Sequence, residues 1–241
     1  MQRNMSTDFP GPDFACSLHP DLKVRLIDAG TSDYASMWNR QKEIFSRMVE
    51  NKRKGEGVGE EYVFFVEHTP VITLGRHAKH ENLLFSEDSL RSRGIEVYEI
   101  ERGGDITYHG PGQLVVYPLI DLEAHHIGVK KYVNILEEAV IRTIADFGMK
   151  GERVDGASGV WIDVGTPGER KICALGVKCS RFVTMHGLAL NVNTEMSGFS
   201  LINPCGFTDR GVTSMRLELG VESVDFNSVR DSLARHLLSL L

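Results

Sequence analysis

The sequence predicts an α+β fold in which helices pack on a mainly antiparallel sheet. Long segments with apolar residues at helical spacing alternate with β-prone runs, and after Gly148 the apolar period changes to two, as in successive antiparallel strands. A chain of 241 residues with 41% hydrophobic content can bury one large core, and no Pro/Ser-rich linker divides it. We therefore predict one domain over residues 24–241, preceded by a flexible N-terminal extension of residues 1–23.

The first half of the chain predicts one long helix, a short helix and several strands. The long helix runs toward Asn51, and Thr31 and Ser32 are candidate caps for its start. The short helix begins at Glu87 and ends near Gly94. The β-prone runs of this half predict strands at residues 62–67, 71–74, 96–101 and 113–120.

The charged segment at residues 51–61 (NKRKGEGVGEE) predicts an insertion loop. Gly55, Gly57 and Gly59 imitate part of a nucleotide-binding loop, but that fingerprint requires a strand before it and a helix after it. Phosphate binding is therefore not expected here.

The second half predicts another long helix, stopped by Gly148, and then a series of short strands. A turn at residues 166–169 joins the first two of these strands. Asp225 can cap a closing helix that carries apolar residues on one face. The strands are predicted at residues 159–164, 171–178 and 186–192.

Composition excludes several classes of function. The formal charge is −6 and the isoelectric point is about 5.9, so neither nucleic acid nor an anionic membrane is an expected partner. No apolar run approaches the roughly 20 residues of a membrane-spanning helix, and the N-terminus lacks the pattern of a secretory signal. None of the four cysteines forms a C-x-x-C pair, so free thiols and no metal site are expected in a cytoplasmic protein.

The segment RGGDITYHGPGQ at residues 102–113 interrupts two strand-like runs with four glycines and a proline. Glycine permits close backbone approaches that a Cβ atom would block. One interpretation is a wall where a ligand meets the backbone, with Tyr108 and His109 shaping the pocket. The other is an irregular connection between strands.

Two further segments combine small residues with a lysine in one case and a histidine in the other. KICALG at residues 171–176 begins with Lys171, and TMHGLALNVN at residues 184–193 holds His186 before a Gly-Leu-Ala step. Most strand lysines point to solvent, and a lone histidine is most often a structural residue. Catalytic roles for both remain hypotheses on composition alone.

The segment LINPCGF at residues 201–207 places Cys205 between Pro204 and Gly206, in a loop rather than on an apolar face. Loops held by a rigid scaffold are where reactive groups concentrate. Cys205 is therefore the candidate nucleophile, and a buried, inert thiol is the alternative.

Taken together, these four segments closely resemble the lipoyl(octanoyl) transferase family of bacterial lipoate synthesis, and EHTPVITLGR at residues 67–76 is similar to its earlier signature. The resemblance runs from about Val24 to about Thr213. It implies a fold similar to the catalytic domain of biotin and lipoate protein ligases, Cys205 as acyl carrier and Lys171 as its catalytic partner. His186 is a candidate supporting residue. The substrate-binding residues that the resemblance implies are Arg102, Gly103, Gly104, Asp105, Ile106, Thr107, Tyr108, His109, Ala174, Leu175, Gly176, Gly187, Leu188 and Ala189.

The reaction implied by the resemblance transfers an octanoyl group from octanoyl-acyl carrier protein to a specific lysine of a lipoyl domain, through a thioester on Cys205. The implied acceptors are the E2 subunits of 2-oxoacid dehydrogenases and the glycine cleavage H protein. No cofactor and no metal are implied. Since a free cysteine with a pKa near 8.5 is mostly protonated at neutral pH, Lys171 is expected to stabilise its thiolate and later to accept a proton from the incoming lysine.

Three other functions remain open at this point. An ATP-dependent lipoate or biotin protein ligase could share the fold, although adenylate chemistry needs no nucleophilic cysteine. An acyl-binding or scaffold protein would leave Cys205 inert, and a thiol hydrolase could pair Cys205 with His186. A basic docking patch for an acidic partner is predicted at Lys130, Lys131, Lys178 and Arg181.

Overall fold

The computed structural model describes residues 13–19, 22–203 and 211–241. Cys205 lies outside the described residues. Five α-helices are present within these ranges: α1 (Tyr34–Arg53), α2 (Glu87–Ser92), α3 (Val129–Asp146), α4 (Met215–Leu219) and α5 (Phe226–Leu240). The strands are β1 (Asp13–His19), β2 (Leu22–Ser32), β3 (Glu60–His68), β4 (Val71–Leu74), β5 (Glu96–Glu99), β6 (Ile106–His109), β7 (Gln113–Leu119), β8 (Glu152–Val154), β9 (Ala157–Ile162), β10 (Arg170–Ser180), β11 (Val183–Asn191) and β12 (Gly211–Val212).

The strands form two sheets. Within the described ranges, the main sheet has nine strands in the order β1-β2-β3-β7-β11-β10-β9-β8, and β12 pairs with β10. Its pairs are antiparallel except β2 with β3 and β10 with β12. The second sheet has the order β5-β4-β6. The predicted α+β fold with a mainly antiparallel sheet is confirmed.

Helices cover both faces of the main sheet. One face packs against α3 and α5 in a core that includes Leu136, Leu190 and Leu233. The opposite face packs against α1 through residues such as Met48 and Phe64. The smaller sheet has its own apolar cluster. Apolar side chains therefore alternate between two cores along the central strands, as expected for a sheet that is covered on both faces.

The start of α1 differs from the prediction. Asp33, not Thr31 or Ser32, is the cap, and its side chain accepts a hydrogen bond from the Ser36 N–H at 2.8 Å. Thr31 and Ser32 are residues of β2, because their backbone pairs with β3. A residue engaged in a strand ladder is not in position to cap the next helix.

The predicted insertion loop at residues 51–61 is shorter in the structure. Helix α1 continues to Arg53, and β3 begins at Glu60, so the connection itself covers residues 54–59. By contrast, Asp225 caps α5 as predicted, since its side chain accepts a hydrogen bond from the Asn227 N–H at 3.1 Å.

Part of the segment assigned to an N-terminal extension joins the main sheet. Strand β1 pairs antiparallel with β2 and forms one edge of the sheet. The division of the chain into an extension of residues 1–23 and a catalytic domain stays a prediction. No helix in the described ranges is both long and apolar enough to cross a bilayer.

Candidate active site

A cavity of about 490 Å³ lies among strands β6, β7, β10 and β11. Lys171 and His186 both line it. The other predicted site residues on its wall are Arg102, Gly103, Gly104, Asp105, Ile106, Thr107, His109, Ala174, Leu175, Gly176, Gly187, Leu188 and Ala189. Residues from the glycine-rich segment, from β10 and from β11 therefore line the same cavity.

Tyr108 is not among the residues that line this cavity. Its ring packs against Phe199, with centroids 5.6 Å apart. A Cβ atom at Gly110 would lie 2.2 Å from the Tyr108 hydroxyl, and one at Gly198 would lie 2.3 Å from its ring. The Tyr108 ring therefore fills a slot between two glycines, and a role for Tyr108 in substrate binding stays a prediction.

The glycine-rich segment docks directly on β10. The Gly103 N–H donates to the Val177 carbonyl at 3.0 Å. A Cβ atom at Gly176 would lie only 2.6 Å from the Gly103 carbonyl oxygen, which no real side chain could accept without movement. Glycine at position 176 therefore lets the two backbones form one wall of the cavity.

Arg102 is buried in the same wall. Its guanidinium donates to the Thr73 carbonyl at 2.9 Å, to the Thr73 hydroxyl at 3.0 Å and to the Gly103 carbonyl at 3.1 Å. These bonds fix a positive charge next to the cavity.

Lys171 is placed by three strands. It pairs with Trp161 of β9 and with Val212 of β12. Its Nζ lies 4.5 Å from the centroid of the Trp161 ring, a cation–π contact that restricts the lysine side chain. The Thr213 N–H also donates to the Lys171 carbonyl at 3.0 Å.

Both described ends of the segment that contains Cys205 are held by hydrogen bonds. On one side, the Asn203 N–H donates to the Asn82 carbonyl at 2.8 Å. On the other side, Gly211 pairs with Arg170, the residue before Lys171. The described chain therefore resumes at Gly211, next to the residue that precedes Lys171.

Two other cysteines have described side chains. Cys173 is buried and Cys179 is half-buried, and neither is in a disulfide. Burial raises the pKa of Cys173 well above its usual range and also raises that of Cys179. Both thiols are therefore protonated and poorly nucleophilic at neutral pH.

Five buried rings line the cavity, from Tyr34, His109, Tyr117, His186 and Phe199. Burial lowers the pKa of His109 to about 3, with the positive charge of His68 as the next cause. Burial, followed by the charges of Arg102 and Lys178, lowers the pKa of His186 to about 3. Both imidazoles are therefore neutral at pH 7.

His186 also has a left-handed backbone, with φ at 63°. For a residue other than glycine such a conformation costs about 1–3 kcal/mol, and it persists where surrounding structure enforces it. The His186 ring faces Tyr117 edge-on, with centroids 6.5 Å apart. Strain of this kind is concentrated at functional sites.

Known proteins of one family match most of the chain. The family model of the lipoyl protein ligase A/B catalytic domain matches residues 33–238. An octanoyltransferase from Parabacteroides distasonis is 52% identical over 210 residues, which covers 87% of this chain and 94% of that protein. One from Flavobacterium johnsoniae is 48% identical over 223 residues, covering 90% and 96%.

The chain belongs to the octanoyltransferase family. Octanoyltransferases are acyltransferases, and the sequence-based identification of the family is confirmed. Solved structures agree on the fold. A bi-partite lipoate protein ligase from Thermoplasma acidophilum aligns with a TM-score of 0.65 at 17% identity, covering 92% of this chain and 84% of that one. A lipoate-protein ligase A bound with ATP aligns with a TM-score of 0.61 at 16% identity, covering 90% and 84%.

Several residues of this octanoyltransferase site had no functional signal in the sequence. Gly159 has a φ of 129°, and a Cβ atom there would lie 2.5 Å from the Cys173 carbonyl oxygen and 3.4 Å from Lys171 Cε. Tyr34 and Tyr117 lie within a predicted helix and a predicted strand, and nothing in those patterns indicates that they line a cavity. Gln113 could have been found from the sequence, because it ends the glycine-rich segment. Its side chain forms a hydrogen bond with His109 at 2.7 Å.

Proposed function

We propose that the chain transfers an octanoyl group from octanoyl-acyl carrier protein to a specific lysine of lipoyl domains, through a thioester on Cys205, as the first step of protein lipoylation. The observation that carries this proposal is the position of Lys171. It lines the same cavity as the glycine-rich walls, beside the strand by which the chain returns from residues 204–210. Membership of the octanoyltransferase family supports the octanoyl group as cargo.

The proposed acceptors are the lipoyl domains of 2-oxoacid dehydrogenase E2 subunits and the glycine cleavage H protein. The lipoate protein ligase from Thermoplasma acidophilum, whose fold this chain shares, is described with its E2 lipoyl domain. A docking role for Lys130, Lys131, Lys178 and Arg181 stays a prediction. Lys178 is partly engaged within the protein, since its Nζ lies 3.6 Å from a Glu101 carboxylate oxygen.

In the first half-reaction, the Cys205 thiolate attacks the thioester carbonyl of octanoyl-acyl carrier protein. A new carbon–sulfur bond forms as the old one breaks, and the phosphopantetheine thiolate leaves and takes up a proton from the Lys171 ammonium, which becomes neutral. The Lys171 ammonium would favour the Cys205 thiolate by its charge. Because one thioester replaces another, the step is nearly balanced in free energy and requires no ATP.

In the second half-reaction, the acceptor lysine must be neutral to attack the acyl-enzyme, although its reference pKa is about 10.4. Its nitrogen forms an amide with the octanoyl carbonyl, and Cys205 leaves as a thiolate. Lys171 would accept the proton that the nitrogen loses. One lysine thus serves both half-reactions.

The cavity suits an acyl chain. Leu188, Ala189 and Val115 contribute apolar surface to it. Burial of an alkyl chain contributes about 0.8 kcal/mol per methylene, so eight carbons supply several kcal/mol of binding. The glycine-rich walls and backbone N–H groups near Cys205 are candidate donors to the tetrahedral oxyanion.

Intact mass spectrometry after incubation with octanoyl-acyl carrier protein tests this function. Native protein should gain one octanoyl group that hydroxylamine removes, and Cys205→Ser should gain no hydroxylamine-sensitive adduct. The acyl group should then pass to a lipoyl domain without ATP. A strict requirement for ATP and free octanoate would support the alternative, an ATP-dependent lipoate or biotin protein ligase, and would refute the proposal.

A further inference from the structure

One buried imidazole of the cavity wall has ring nitrogens without a hydrogen-bond partner among the described residues. His186 is 1% exposed, and among the described residues neither Nδ1 nor Nε2 has a hydrogen-bond partner. His109, on the same wall, contacts Gln113 at 2.7 Å and Thr73 at 3.4 Å through its two ring nitrogens. Buried polar side chains without partners are rare, so His186 is arranged for something other than packing.

Gln41 of α1 adds a further polar group beside His186. Its carboxamide oxygen accepts the His186 backbone N–H at 3.1 Å. Its Nε2 has no hydrogen-bond partner among the described residues, although Gln41 is fully buried. The polar floor, defined as the side chains of His186 and Gln41, therefore contains three polar atoms without partners among the described residues, and His186 lines the cavity, where its ring nitrogens can bind ordered water.

The polar floor lies far from Lys171 along the strand. His186 pairs with Val177, which is six residues from Lys171 in β10. At about 3.3 Å per residue this corresponds to roughly 20 Å between backbone positions. An extended eight-carbon chain with its thioester carbonyl is shorter than this separation, so such a chain held near Lys171 can end before it reaches His186.

We propose that His186, supported by Gln41, is a specificity-determining residue that sets the length of the acyl chain. This inference rests on the proposed octanoyl transfer. A chain that ends before the imidazole leaves its ring nitrogens hydrated. A chain with two more methylenes must cover them with hydrocarbon, and burial of an unpaired polar group opposes the gain from burying the methylenes.

A polar floor and a simple steric wall predict different results for two substitutions. Leucine is close to histidine in size but has no polar atoms, so His186→Leu removes the desolvation cost and leaves the available length unchanged. Asparagine is smaller but polar and tolerates a left-handed backbone, so His186→Asn gives more room and keeps a polar group. Only a polar floor makes the leucine variant the more permissive one.

The experiment compares kcat/KM for octanoyl- and decanoyl-acyl carrier protein in native protein and in both variants. His186→Leu should raise the ratio of decanoyl to octanoyl transfer about tenfold, equivalent to 1.4 kcal/mol. His186→Asn should leave the ratio within about threefold of the native value. An unchanged ratio in His186→Leu, or a larger increase in His186→Asn, would overturn the proposal.

His68→Gln is the control for general damage to this region. His68 is buried and hydrogen-bonded to Tyr117 at 2.9 Å, but it does not line the cavity. This variant should have a lower melting temperature and an unchanged ratio of the two substrates. A change in its ratio as large as that of His186→Leu would show a nonspecific effect and would also overturn the proposal.

A second measurement separates this inference from the proposed function. If native protein transfers no acyl group from any acyl carrier protein, octanoyl transfer fails. Calorimetric binding of free octanoate and decanoate then tests the polar floor by itself. Preference of native protein for octanoate and of His186→Leu for decanoate would support it. The same preference in both proteins would refute it.

Discussion

The Asn82 side chain donates to both carboxylate oxygens of Asp105, at 3.0 and 3.3 Å, and this contact links the cavity wall to the segment that leads to Cys205. Asp105 also accepts the Ile106 N–H at 2.8 Å. The Asn82 carbonyl accepts the Asn203 N–H at 2.8 Å. Asn82 thus joins the glycine-rich segment to the residue two positions before the predicted nucleophile.

We expect Asn82→Ala to slow formation of the octanoyl adduct about tenfold, because a barrier higher by about 1.4 kcal/mol would follow from poorer positioning of residues 203–205. KM for octanoyl-acyl carrier protein should change little. Stopped-time mass spectrometry measures the rate. Asn39→Ala, on the exposed face of α1, is the matched control and should have the native rate.

A swap of the two side chains tests the same contact. Asn82→Asp places two carboxylates together and should slow adduct formation at least as much as Asn82→Ala. The double variant with Asp105→Asn restores a carboxylate–amide pair and should recover most of the rate. Failure of the double variant to recover would argue against a positioning role for this contact.

Substitution of Lys171 should separate its two proposed roles. Arginine keeps the charge but cannot accept a proton near neutral pH. Lys171→Arg should therefore form the octanoyl adduct within about tenfold of the native rate, yet transfer it to a lipoyl domain on the order of 100-fold more slowly. Lys171→Ala should be slow in both steps, and the exposed Lys150→Ala should match native protein.

If Lys171→Arg slowed both half-reactions as much as Lys171→Ala does, the assignment of two separate roles to Lys171 would be contradicted. That result would indicate that arginine does not fit the contact with the Trp161 ring. Single-turnover measurement of each half-reaction distinguishes the two outcomes.

Gly187→Ala should destabilise the fold by about 1–3 kcal/mol, because overpacking at this position cannot be relieved by a flexible side chain. The new Cβ atom would lie 2.1 Å from the Val116 carbonyl oxygen and 2.8 Å from Pro118 Cδ. Urea unfolding measures the change. Gly57→Ala is the control, since nothing lies within 4 Å of a Cβ atom there, and it should remain within about 0.5 kcal/mol of native stability.

The ion pair between His125 and Glu61 should make a pH-dependent contribution to the stability of the fold. Its Nε2 lies 2.8 Å from a Glu61 carboxylate oxygen, and both side chains are almost fully buried. Burial alone would lower the pKa of His125, but the hydrogen bond and charge of Glu61 outweigh it, so the pKa is raised. The charged pair therefore stabilises the fold fully below the unfolded pKa of about 6.5, and this contribution is lost as pH rises through the higher folded pKa.

His125→Gln should lower the free energy of unfolding at pH 6 by roughly 3 kcal/mol, because it leaves a buried carboxylate without its partner. Native protein should lose stability between pH 6 and pH 9, and the variant should lose less over the same range. Parallel pH profiles for the two proteins would refute this assignment.

The sequence by itself determined the fold class, the family and the main candidates for chemistry. Local patterns were sufficient for these, because apolar periodicity specifies helices and strands and the order of glycine-rich segments is a property of the chain. Lys171 became a candidate through the family resemblance of its segment, and the structure places it on the cavity wall.

Only the tertiary structure decided which side chains face the cavity. His186 has a left-handed φ, so the alternation of a regular strand does not predict its direction, and the two unpartnered ring nitrogens are visible only once every neighbour is placed. The Tyr108 ring packs in a slot that is open because residue 198, ninety residues away in sequence, is glycine. The Asp105 carboxylate accepts a hydrogen bond from Asn82, which belongs to a different segment of the sequence. Each of these outcomes depends on long-range contacts, which no local pattern of residues encodes.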